Sequence, residues 1–360
     1  MALPFIILGV AAAATAFGGK KAYDGYQKKS EANDIFDGAQ ERFDNRKETF
    51  EAANTLSSQK LERLGEKELQ IGTEFKEFNT IAKALLEKMA KEGQTDLNVQ
   101  VPQHRLNQIE KLSISATEFL GTVIGAGTSG AAAGFAVYSG VMAFAAASTG
   151  TPIAALSGAA AYNATMAAIG GGSLAAGGWG MAGGAMVLGG AVVAPLIAIM
   201  GWAYNNHAEK ALENAQEMAR KVRKAIAQMD QAEAHLINVN QYVDSIYHSL
   251  VRMHESFERY FDILKATHQK IAAGQKEINE PESVLRAIQN GYMLAAIMTD
   301  VITTPLFKPV TNAQDEAVIN DQGVIELEVD ENGINVLNKQ ALDKALETSD
   351  QEYIRFLAKA

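Results

Sequence analysis

Cysteine is missing from all 360 residues, which removes disulfides, thiolate zinc sites and cysteine nucleophiles in one step. Charge is missing from a long internal stretch. Between Glu118 and Glu209 there is no Asp, Glu, Lys or Arg, where an ordinary segment of that length carries about 22 at the usual frequency of roughly 25%. A basic stripe is missing too. Residues 20–118 and 209–280 are nearly neutral mixtures of both signs, and residues 281–360 supply most of the net charge of −10. Without clustered cations to track a phosphate backbone, nucleic acid is not an expected partner.

The uncharged stretch, residues 119–208, holds 19 of the 31 glycines, and its remaining residues are mostly Ala, Val, Ile, Leu and Met. Small residues recur every four positions, as in Gly121 and Gly125, Gly130 and Gly134, and Gly172, Ala176, Gly180 and Gly184. In lipid this spacing lets apolar helices approach backbone to backbone. In water each helical glycine costs about 1 kcal/mol relative to alanine. The composition therefore predicts a membrane-inserting helical segment interrupted near Gly150 and Gly170. Residues 1–19 form a second uncharged run followed by Lys20 and Lys21. At roughly 1.5 Å per residue it makes a helix of about 28 Å, close to the hydrocarbon thickness, and reads as an anchor, with a signal peptide and a soluble apolar helix as the rivals.

Residues 20–118 and 209–280 carry the opposite pattern. Phe36, Phe43, Phe50, Ser57, Leu64, Ile71, Phe78 and Leu85 fall at intervals of seven, and so do Ala215, Val222, Met229, Leu236, Val243, Leu250, Phe257, Leu264 and Ile271. Sustained period-seven stripes predict coiled-coil seams. Pairing the two arms antiparallel, with the uncharged stretch as their connection, is the simplest burial. A helix from Gln103 to Glu118 leads into that stretch. Beyond Pro281 the pattern predicts an amphipathic helix over 283–304, a hairpin around Asp330–Gly333 and a last helix over 339–359. The expected fold is mainly all-α: elongated antiparallel coiled-coil arms, a central Gly/Ala-rich membrane segment, and a small acidic α+β appendage at 281–360.

Motifs for chemistry fail on inspection. Gly125-Ala-Gly127-Thr-Ser-Gly130 has the glycine spacing of a dinucleotide turn, yet no acid follows before Glu209 to hold a ribose, and Ala131 stands where a phosphate loop needs lysine. No nucleotide and no other cofactor is expected. His248 and His254 lie six apart on one arm, too far for one helical turn, and no completing carboxylate is apparent. Glu328, Asp330 and Asn332 before Gly333 lack the terminal Glu of a calcium loop, since Lys339 occupies that position. No catalytic constellation is visible, so the expectation is a non-enzymatic protein.

The order of elements over residues 22–280 resembles the α-helical pore-forming toxins of the cytolysin A and haemolysin BL type. The resemblance implies long packed helices and a concealed apolar hairpin that refolds into membrane. Gly170 to Gly184 (GGGSLAAGGWGMAGG), together with Lys20-Lys21-Ala-Tyr-Asp, looks like a widespread group of uncharacterised bacterial proteins, which implies a bacterial origin. The expected partners are a lipid bilayer, further copies of the chain and an unidentified protein. Lys20, Lys21, Lys28 and Lys29 after the first apolar run, and Lys210, Arg220, Lys221, Arg223 and Lys224 after the second, predict both flanks on the cytoplasmic side of a bacterial inner membrane. A soluble state preceding insertion is compatible with the same sequence. The rival expectation is a resident coiled-coil scaffold that shapes membrane without opening it.

Overall fold

The computed structural model describes residues 19–94, 97, 99–124, 132–137, 208–313, 317–318, 326–331 and 334–359. These are mainly helical: α1 (Gly19–Lys91), α2 (Gln103–Ile124), α3 (Ala208–Ala272), α4 (Pro281–Ile302) and α5 (Lys339–Leu357), with a short helical turn at 132–137. The long helices stop where glycine makes stopping cheap. Gly93 (φ 87°) and Gly274 (φ 102°) take the left-handed conformation. The next amides, Gln94 N and Gln275 N, donate to the carbonyls of Met89 and Lys270, each at 3.1 Å. This is the same six-to-one closure at both C-termini. Pro281 opens α4 at a position where no amide donor is needed.

Contacts divide the chain into two units, Met1–Phe50 with Val192–Asp230, and Glu51–Ala191 with Gln231–Ala360. In the first unit α1 meets α3 through Arg46 Nε, which donates to Asp230 Oδ1 at 2.7 Å. In the second, Lys60 meets Asp244 at 2.5 Å, Arg63 lies over Tyr247 at 4.2 Å, and Phe78 packs on Phe261 at 5.8 Å. Both ion pairs join residues 184 apart. Rising numbers on α1 thus meet rising numbers on α3, so the two helices run parallel within each unit.

The antiparallel expectation is therefore corrected. A period-seven stripe records which face is buried and carries no direction. The return leg comes from elsewhere: α2 and residues 132–137 run back along α1, with Lys83 near Glu110 at 3.9 Å, Gly72 against Ala116, and Gly65 against Ala132. In the second unit α4 also descends, from Ile278 N on Glu92 to Tyr292 on Asn79. Then α5 climbs along α3 through Asp343–Tyr242, Asp350–Arg252 and Tyr353–Ser256. The second unit is a bundle of alternating legs.

Residues 281–360 do not stand apart as an appendage. Ile288, Leu294, Ala295 and Met298 of α4 are fully buried, and Phe75, Phe78, Phe257, Phe261 and Tyr292 interlock as an aromatic core with centroid separations of 5.0 to 5.8 Å. Near the expected hairpin, Val329 bridges Asn335 and Phe307 bridges Leu337, both antiparallel. Among the described residues this pairing remains isolated bridges and builds no strand.

Candidate functional site

The feature that bears most directly on a membrane role is the place where the uncharged stretch departs from the charged helices. Its first residues continue α2 to Ile124, and residues 132–137 then lie against α1 in the second unit. Phe135 is fully buried, Ala132, Ala136 and Val137 are nearly so, and Phe135 meets Phe119 edge-on at 5.2 Å. Glu62 of α1 accepts a hydrogen bond from Ala133 N at 3.3 Å, placing a carboxylate on the opening turn of this helical piece.

Two glycines of α1 create the cradle. A Cβ at Gly65 would overlap the carbonyl of Ala132, and one at Gly72 would come within 2.5 Å of Ala116 Cβ. They lie seven apart on the face that receives the returning chain, so a helix otherwise built for length keeps two residues of poor helix propensity where backbones must touch. Sequence reasoning missed both. They do not follow the four-residue spacing of the uncharged stretch; their signal was glycine recurring at seven, the period of the seams, inside a charged helix.

Of the predicted packing glycines, Gly134 is buried at this contact, whereas Gly121 is exposed and no described residue lies within 4 Å of where its Cβ would be. Gly125, Gly130, Gly172, Ala176, Gly180 and Gly184 lie outside the described residues. So do residues 1–18 and both expected interruptions. Of the seam residues, Phe43, Phe50, Leu64, Ile71, Phe78, Val222, Met229, Leu236, Val243, Leu250, Phe257 and Leu264 are buried, and Phe36 is half-buried. Among the described residues no helix is long and apolar enough to cross a membrane.

A polar cluster sits between α1 and α3 in the second unit. His254, 1% exposed, offers Nε2 to Glu74 Oε2 at 2.8 Å and Nδ1 to Lys67 Nζ at 2.9 Å. An ammonium can only donate, so Nδ1 accepts and Nε2 carries the proton given to Glu74. Burial pushes the Glu74 carboxyl up, but the hydrogen bonds from His254 and Gln70 and the charge of Lys67 outweigh it and hold Glu74 below its ordinary range. Glu258 Oε1 lies 3.7 Å from Nδ1. The expectation that no carboxylate accompanies these histidines is thus corrected, because Glu258 is one turn away on α3 and the fold adds Glu74 from α1. Glu74, His254 and Glu258 each bring a ligand atom within 4.8 Å of the others. The two ring nitrogens point opposite ways, however, and Lys67 occupies one of them. A cation could take only one nitrogen with its carboxylate, fewer than the three protein ligands of a catalytic zinc site.

A second cluster ties the bundle's legs together. Arg105 of α2 pairs with Asp300 of α4 and, at 2.9 Å, with Glu352 of α5. Burial pushes the Asp300 carboxyl up against the opposing pull of Arg105. No family model, curated protein or solved structure matches the chain.

Proposed function

We propose that this chain is a non-enzymatic membrane-active protein that permeabilises bilayers by releasing its uncharged stretch from the helical bundle and assembling through its glycine-rich helices. The carrying observation is the uncharged run from 119 to 208, whose opening residues are stored against α1 at Gly65. An exposed apolar surface of that length would aggregate in water, so it must be covered by protein or by lipid. A contact made by one helical turn, one carboxylate cap and two phenylalanines is a local structure able to open without unfolding the aromatic core. The two seams in this reading act as coiled-coil arms that keep the bundle intact while the stretch moves. The bacterial inner membrane, homo-oligomerisation and the α-helical toxin likeness belong to the same proposal.

Liposomes loaded with a small fluorophore test it. Dye should leak on addition of the full chain, and Gly180→Leu with Gly184→Leu should suppress leakage while the far-ultraviolet helical signal is retained. Liposomes that bind or tubulate yet stay sealed would replace permeabilisation with the scaffold reading.

A further inference from the structure

In the first unit a groove of about 550 Å³ opens between α1 and α3. Ile35 and the buried Ala219 form its floor, and Glu31, Asp34, Arg42, Arg220 and Arg223 line it. All five charged side chains are exposed. Among the described residues none of the five makes an ion pair or hydrogen bond, although both signs share one groove. The register of Arg46 with Asp230 sets Arg220 and Arg223 level with residues between Asp34 and Arg42. The groove is therefore graded, with carboxylates at one end and three guanidiniums beyond them.

We propose that this groove binds a phosphoethanolamine-class zwitterion, phosphate on Arg220, Arg223 and Arg42, ammonium on Glu31 and Asp34. Guanidiniums match phosphate oxygens in paired hydrogen bonds, and Arg220 and Arg223 are three apart on one helical face, as such a grip requires. A lone anion would leave the two carboxylates repelling it. A primary ammonium next to the phosphate uses them. Choline fits poorly, because it has no N–H to donate and none of the described residues lining the groove is aromatic, to hold it by cation–π attraction. The volume falls in the range of small-ligand pockets. Arg220 also begins the densest cationic run of the chain, Arg220, Lys221, Arg223 and Lys224, soon after the uncharged stretch. Such runs beside a membrane segment are drawn to anionic membrane surfaces, which would bring the groove to the headgroup layer. The lipid source of the headgroup rests on the membrane reading above; the binding chemistry does not.

Calorimetric titration of the full chain with glycerophosphoethanolamine should give saturable binding, with glycerophosphocholine and inorganic phosphate each about tenfold weaker, the factor expected for losing one charge-assisted hydrogen bond. Arg220→Gln with Arg223→Gln should abolish binding of all three. Glu31→Gln with Asp34→Asn should erase only the preference for ethanolamine, with helicity by circular dichroism as the folding control. Equal affinity for the three ligands, or none for any, overturns the proposal. Flotation with phosphatidylethanolamine-containing against pure phosphatidylcholine vesicles separates a lipid headgroup from the free compound. Dye leakage without headgroup preference would sink this inference alone, and headgroup binding without leakage would sink only the permeabilising function.

Discussion

Gly65 and Gly121 are both helical glycines, and a methyl group should affect them in opposite directions. At Gly65 the added carbon meets a main-chain carbonyl that has no rotamer to escape into, so Gly65→Ala should destabilise by roughly 1–3 kcal/mol, as overpacking does. At Gly121 no described residue lies within reach, and Gly121→Ala should be neutral or stabilising by up to about 1 kcal/mol from helix propensity. Denaturant titration of the two variants checks both signs. Glu74 and Asp300 make a second contrast. Glu74 is held below its unfolded value, so its contribution is present above the unfolded pKa and is lost as pH falls through the folded one. Asp300 is pushed above its unfolded value, so its contribution is present below the unfolded pKa and is lost as pH rises through the folded one. Glu74→Gln should flatten the loss of stability on acidification, whereas Asp300→Asn should remove a small loss on leaving acid. Melting temperatures between pH 3 and 6, a range that brackets the ordinary carboxylate values, distinguish the two.

At the scale of elements, the helices themselves were legible and their directions were not. Periodicity and breakers place all five helices to within a few residues, except that α2 runs past Glu118 to Ile124 and α3 ends at Ala272. The burial of Leu64, Leu250 and Phe257 was readable because period-seven burial is a property of a single helix. Which helix fills the facing side is a property of the pair. Here the missing return leg was hidden because its continuation, residues 132–137, shares the composition of the stretch read as membrane-bound. His254 shows the same limit: Glu258 lies one turn away, but Glu74 and Lys67 arrive only once α1 lies alongside. Parallel packing makes a direct prediction. Zero-length carbodiimide coupling should join Lys60 to Asp244, a pair at 2.5 Å, and peptide mapping should recover that cross-link; products joining Lys60 to the C-terminal turns of α3 would restore the antiparallel arrangement. On the outer leg, Tyr353 Oη bonds both Ser256 Oγ at 2.7 Å and Arg252 O at 3.1 Å. Tyr353→Phe should loosen α5 by about 1 kcal/mol, seen as faster amide exchange over 339–357 with little change in α4.

Across the whole molecule the central question is whether the uncharged stretch must leave α1 before membrane can be permeabilised. The chain offers a clean way to ask it, since it has no cysteine of its own. Glu62 and Ala133 face each other through the Ala133 N hydrogen bond to Glu62 Oε2 at 3.3 Å, so cysteines at both positions can be linked by an oxidant or a short bismaleimide. The link closes a loop of about 70 residues, long enough that it should also raise stability in the untriggered state, by up to ~4 kcal/mol in the chain-entropy account. If release of residues 132–137 opens the path to lipid, Glu62→Cys with Ala133→Cys should leak dye when reduced and stay silent when linked, with liposome binding through the first unit unchanged. Reduction should then restore leakage in the same sample, which separates blocked release from a damaged fold. Full leakage from the linked protein would mean that the stretch inserts from beyond residue 137 alone, and that the contact at Gly65 is a permanent part of the bundle rather than a latch.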